Sequence, residues 1–249
     1  MNKNSFLVYL NNKIILGVFL LGKVLRFSFF TAFLYFLVSG ARDLAGYSVT
    51  QTLFFFLTFN LIDAISQFLF REVYRFRTYI VSGDFDLILL KPFSPLFRVL
   101  FGGADIIDLI TLPPLIFAVG YFGSQISAGP VASFYYVLLL INGLLIATAF
   151  HILVLSLGII TLEIDHSVMI FRDITKLGTL PIDIYRQPLQ LILTYLVPVG
   201  IMVSFPVKAL IGMVSFWGVV LSFLFGGLLI FLSLRFWNFA LTKYSSASS

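Results

Sequence analysis

The stretch from Val131 to Leu162 reads VASFYYVLLLINGLLIATAFHILVLSLGIITL and contains no Asp, Glu, Lys or Arg. An uncharged apolar run of this kind reads as a membrane-spanning helix, for which roughly 20 residues suffice. This one is longer, so it predicts a helix that tilts or projects from the bilayer. The whole chain agrees with it. Of 249 residues, 60% are hydrophobic and 11% charged, with a mean hydropathy of +1.05. Soluble domains carry about 25% charged residues, so too few are present here to cover a water-soluble globule. The length allows roughly six spans with loops. It leaves no room for a second soluble domain of about 100 residues. The fold expected is one all-α integral membrane domain over residues 1–249.

Working outward from that run, residues 4–22 are apolar but interrupted by Asn11, Asn12 and Lys13. They read as a helix lying in the headgroup region. The first span runs from Phe27 to Ser39 and reaches back past Arg26, whose long side chain can snorkel. No cleavable signal pattern precedes it, so the spans themselves are expected to direct insertion. The second span covers Thr50 to Phe70 and meets Arg71, Glu72, Arg75 and Arg77. Residues 71–98 form a polar loop with a short apolar helix, Leu87 to Leu90, which Asp84 is expected to cap and Pro92 to stop. The third span, Val99 to Phe122, is expected to bend at Pro113-Pro114. After the fourth, residues 163–188 mix charges with apolar residues at helical spacing (Val168, Phe171, Ile174, Leu177). Hydropathy alone takes Leu189 to Phe205 as the fifth span, although Pro198 lies inside it. Ala209 to Leu234 is the last.

Basic residues set the orientation. With the N-terminus inside, Lys3, Lys13, Lys23 and Arg26 are cytoplasmic, as are Arg71, Arg75, Arg77, Lys91 and Arg98. The loops between spans one and two and between spans three and four offer only Arg42. Six crossings bring Arg235 and Lys243 back to the cytoplasm. The net charge of +5 has no long basic run behind it. It therefore marks loops beside an anionic leaflet and not a nucleic-acid surface.

The chemistry-bearing residues exclude more than they suggest. With no cysteine, disulfides, iron–sulfur clusters and thiolate zinc sites are ruled out. His151 and His166 are the only histidines, and neither has a second ligand at a metal spacing. No cofactor or metal is expected. Residues 17–23 (GVFLLGK) match the glycine and lysine spacing of a phosphate loop, but Val24 replaces its Ser/Thr and the interior is bulky and apolar. Asp105 and Asp108 share a helix face near Arg98, where pairing with basic residues is the simpler reading. Asn60, Asp63 and Gln67 form one polar face on the second span, either glue between helices or part of a substrate path. The loop helix is too polar at its ends to span and too apolar to float, so it either lies on the membrane or enters a groove on a soluble partner.

That loop also carries a resemblance. Residues 82–98 (SGDFDLILLKPFSPLFR) are similar to the "G-x-hydrophobic-D-x-x-L-x-(R/K)-P-x-x-P" loop of permeases of the type-2 class of ATP-binding-cassette (ABC) exporters. Leu180-Pro181-Ile182-Asp183-Ile184-Tyr185, Val197-Pro198-Val199, Phe205-Pro206 and the terminal Tyr244 to Ser248 agree with it. Asp84 departs from the small polar residue of many relatives. The resemblance implies a permease subunit in the plasma (inner) membrane, both termini cytoplasmic, paired with a separate ABC ATPase and with a second copy or a paralogue. It places ATPase coupling at Gly83, Asp84, Asp86, Leu87, Leu90, Lys91, Pro92 and Pro95. It also implies that residues 162–180 cross the membrane and that 181–206 form a re-entrant outer hairpin. Two other readings stand beside it. One is an intramembrane transferase or hydrolase using Asp105, Asp108 and His166; the other is a scaffold that transports nothing.

Overall fold

A computed structural model describes residues 13–41, 43–104, 106–161 and 164–245. Among them the regular structure is all helical, with one isolated bridge between Leu44 and Tyr47. Five helices are long and apolar enough to span a membrane, or six if one bent pair counts as a span. The chain is a multi-pass membrane protein.

The uncharged run forms α7 (Pro130–Thr161), as its composition demands. Proline opens it where its missing N–H costs nothing. The second span, α2 (Val49–Leu69), starts with a reciprocal cap. Ser48 Oγ accepts the Gln51 N–H at 3.3 Å, and Gln51 Oε1 accepts the Ser48 N–H at 3.0 Å.

The first helix corrects the expected boundary. α1 (Lys13–Ala41) is continuous. No break separates residues 13–22 from the span, and residues 4–12 lie outside the described residues. Lysine and arginine are good helix formers, so charge alone does not end a helix. Lys23 instead bonds Asp108 on α6 (Ile106–Gln125) at 2.5 Å. Residues 17–23 thus lie inside a helix, their N–H groups turned into its own ladder and not toward a phosphate.

The polar loop folds into short helices: a 3₁₀ turn (Arg71–Arg75), α3 (Phe76–Ser82), α4 (Asp84–Leu89) and α5 (Pro95–Phe101). The cap of α4 is not Asp84. Gly83 takes that position at φ +78°, in the left-handed region, and Asp84 is the first helical residue. A single left-handed residue ends α3 and turns the chain into α4, a conformation that side chains disfavour. The expected third span is also divided. α5 stops at Phe101, and α6 begins at Ile106 with both prolines in its interior.

Beyond α7, α8 (Ile164–Lys176) is about 20 Å long. It begins where Asp165 meets Arg77 of α3 at 3.1 Å. Two 3₁₀ turns continue it to Asp183, which bonds Tyr47 just ahead of α2. Residues 164–183 therefore run from the arginine-rich end of α2 to its opposite end. Then α9 (Leu189–Leu196) and α10 (Gly200–Leu210) meet at 77°. The stretch expected from hydropathy as one span is bent in the middle. Gln190 at the start of α9 and Lys208 near the end of α10 both bond Asp183. Between them, Met202 lies deep in the bundle, its carbonyl against Gly143 of α7. The last helix, α11 (Phe216–Lys243), packs along α7, where Asn142 donates to the Ser222 carbonyl at 2.9 Å.

Candidate functional site

The loop helices have two faces with opposite duties. Phe76, Ile80, Phe85 and Ile88 are buried with Val99, Leu155, Ile159 and Trp237. Phe85 sits edge-on to Phe76 (centroids 5.0 Å) and to Tyr244 (5.1 Å). Tyr244 also faces Asp86. Burial and then the Asp86 carboxylate push its hydroxyl up to about 12. Withdrawing a phenyl group from water contributes about 1.5–3 kcal/mol. α4 is therefore clamped to the end of α11.

On the opposite face Leu87 is 59% exposed and Leu90 82%, with Phe93 and Phe97 exposed beside them. Asp84, Lys91 and Pro92 are exposed as well, Gly83, Asp86 and Pro95 partly so. Apolar side chains on a charged loop form a patch of the kind that marks an interaction surface.

Glu72 ties this loop to the third span. It is 2% exposed, accepts the Tyr79 hydroxyl, and has the Arg75 and Arg98 guanidinium groups at 3.9 Å each. Burial, then the bond to Glu72, pushes the Tyr79 hydroxyl up to about 12. A Cβ on Gly103 would run into the Glu72 carboxylate, so the chain between α5 and α6 lies directly on it. In the sequence Glu72 stands only as one of the charges that end a span. The Gly102-Gly103 doublet was the available hint of a close approach.

Within the bundle, Gln67 donates to Asp63 at 2.6 Å. Asn60 does not join them, because its amide bonds the Phe56 carbonyl of its own helix at 2.7 Å. Asp108 is 2% exposed and paired with Lys23; His166 is exposed on α8; Asp105 lies outside the described residues. Among the described residues no group of three or more His, Asp and Glu is placed to hold a metal ion.

The family described as ABC-2 family transporter protein matches residues 23–248, from within α1 to beyond α11. The chain belongs to the ABC-2 transporter family. No curated protein and no solved structure matches it. The matched region of this ABC-2 protein contains both the loop helices and the bent pair α9–α10.

At the end away from the loop, the ABC-2 chain gathers four segments on one carboxylate. Asp183 accepts Tyr47 Oη at 2.9 Å, Lys208 Nζ at 2.8 Å and Gln190 Nε2 at 3.2 Å. Burial and the Asp183 charge raise the Tyr47 pKa. Asp183 stood in the sequence motif; its partners, up to 136 residues away, did not. Asp183→Asn keeps an acceptor for Tyr47 and loses the charge facing Lys208. It should cost about 1–3 kcal/mol, read as a lowered thermal unfolding midpoint of the purified protein. An unchanged midpoint removes Asp183 from this role.

Proposed function

We propose that this ABC-2 protein is the permease subunit of an ATP-driven exporter, with a separate ABC ATPase docked on the loop around residues 83–95. One observation carries the reading: α4 turns Leu87 and Leu90 outward while Phe85 and Ile88 fix its other face to α11. A partner that grips the outer face moves α11 through Trp237 and Tyr244, and moves α6 through Glu72 and Gly103. ATP shifts the bundle between states only through contacts that differ between them, and this loop is where such contacts are made.

In this reading the loop and both termini are cytoplasmic and the membrane is the plasma membrane. Residues 164–180 make the fifth crossing, and 181–206 re-enter the bundle from the outer side. The common tether of α9 and α10 on Asp183 supports that arrangement, because both legs return to one end. Backbone of this kind is tolerated at membrane depth where protein buries it. A second copy or a paralogue completes the transporter, and Asp63 and Gln67, with Asn60 above them, face the path of the substrate.

The absence of cysteine makes the test clean. Leu90→Cys introduces a single thiol, expected to react with a membrane-impermeant maleimide in inverted vesicles and not in intact cells. Saturating ATPase should protect it. Labelling from outside intact cells would overturn the orientation, and unprotected labelling the docking site.

A further inference from the structure

Asp63 carries a carboxylate that docking does not use. Around it α2, the 3₁₀ turn at Arg71–Arg75, α7, α8 and Met202 enclose a cavity of about 20 Å³. Its polar lining comes from Asp63, Ser66, Gln67, Tyr74, His151 and Thr175. That is room for one water, which needs about 10–15 Å³ measured in this way.

The hydrogen-bond inventory shows what a water would do there. His151 Nδ1 is 2.7 Å from the Ala147 carbonyl, which can only accept, so Nδ1 carries a proton. The neutral ring then presents Nε2 as an acceptor, and this buried atom has no partner in the protein. Ser66 Oγ is buried and without a partner too. Gln67 occupies Asp63 Oδ2, which leaves Oδ1 to a further donor. The three side chains line the same cavity, and the chemistry of a single water matches them: two donors for Oδ1 and Nε2 and an acceptor for Ser66 Oγ. Three bonds are the usual number for a buried water.

We propose that this cavity is a proton-binding site, in which one water bridges Asp63 and His151 and the carboxylate takes up and releases a single proton. The set suits both states because water and a serine hydroxyl each donate or accept. On uptake one proton from solvent forms an O–H bond on Oδ1. The new O–H donates to the water, which then donates to Nε2 and to Ser66 Oγ. On release the bonds reverse and no buried polar atom is orphaned in either state.

The charged and titratable groups around the site are Arg172 on α8, Lys23 on α1, Asp108 on α6, and Tyr74 and Arg71 on the 3₁₀ turn. Lys23 is paired with Asp108, and of the surrounding charges Arg172 acts most strongly on the ionised carboxylate. Uptake of a proton removes the attraction between α2 and α8 at the level where Met202 of α10 packs. This inference rests on the cavity and not on the docking loop, and each can fail without the other.

Infrared titration of the full-length chain in neutral-lipid nanodiscs tests it. A protonated-carboxyl band should grow as pH falls and be missing in Asp63→Asn. Its midpoint should move by about tenfold in proton concentration in Ser66→Ala and in His151→Phe, a change of the size that altered hydrogen bonding to a carboxyl produces. Phenylalanine keeps the ring contacts to Phe70 and Phe171. Ser66→Ala removes one oxygen only and decides the matter if the phenylalanine variant does not fold. A titration with no band lost in Asp63→Asn overturns the site. A band with the same midpoint in Ser66→Ala as in the parent chain overturns the water bridge.

Discussion

Replacing Leu87 and Leu90 together by glutamate leaves the chain folded and inserted and abolishes its co-purification with an ABC ATPase. Both side chains are already exposed, so the fold loses nothing it uses. Seated in a partner's groove, each leucine contributes about 1.5–3 kcal/mol of apolar burial. The double change removes both contributions and brings two carboxylates to a surface that must desolvate them. The loss is at least about 4 kcal/mol, a thousandfold in affinity. Recovery of the ATPase at the parent level would place the coupling contact elsewhere. Insertion and detergent-solution monodispersity are the controls, because Phe85, two residues before Leu87, faces the core and would not tolerate the same change.

Gly143→Val should unseat the bent pair α9–α10. A Cβ at residue 143 meets the carbonyl oxygen of Met202 and lies 3.3 Å from Ile62 Cδ1. Side chains can rotate away; a backbone carbonyl cannot. Overpacking against it costs about 3 kcal/mol, the upper part of the usual range. Gly227 on α11 is the matched control, since a Cβ there meets nothing within 4 Å. Gly227→Val should leave stability unchanged or raise it, glycine being a poor helix residue. The measurement is the unfolding midpoint of both variants side by side. Equal midpoints would mean that Met202 does not press on α7.

These two cases separate what a linear reading reaches from what it misses. The uncharged run behind α7 and the apolar run that ends at Arg71 are local signals, and α7 and α2 stand within a residue or two of their expected ends. The start of α1 was misplaced because Lys23 and Arg26 look like an interface, whereas Lys23 serves as the partner of Asp108. Asp84 resembles a cap because acids favour that position, yet the left-handed Gly83 fills it. A short apolar helix over residues 87–90 was legible from its setting between charges; that Leu87 and Leu90 turn outward while Ile88 turns inward was not. Phe85 against Tyr244, Glu72 under Gly103 and Tyr47 on Asp183 were not, since each joins residues far apart in sequence. Asn60 shares a face with Asp63 by spacing alone. Its short amide prefers the carbonyl one turn back, as such side chains do when it is in reach.

The common anchoring of Gln190 and Lys208 has a mechanical corollary. With its two roots fastened to one carboxylate, the bent pair leaves and returns at a single anchor, while its corner is lodged inside the protein, Val199 and Gly200 lying buried against Gly178 and Ile182. Removing the Asp183 carboxylate therefore unties both legs in one stroke, and leaves the hairpin held only by the apolar packing of its buried corner.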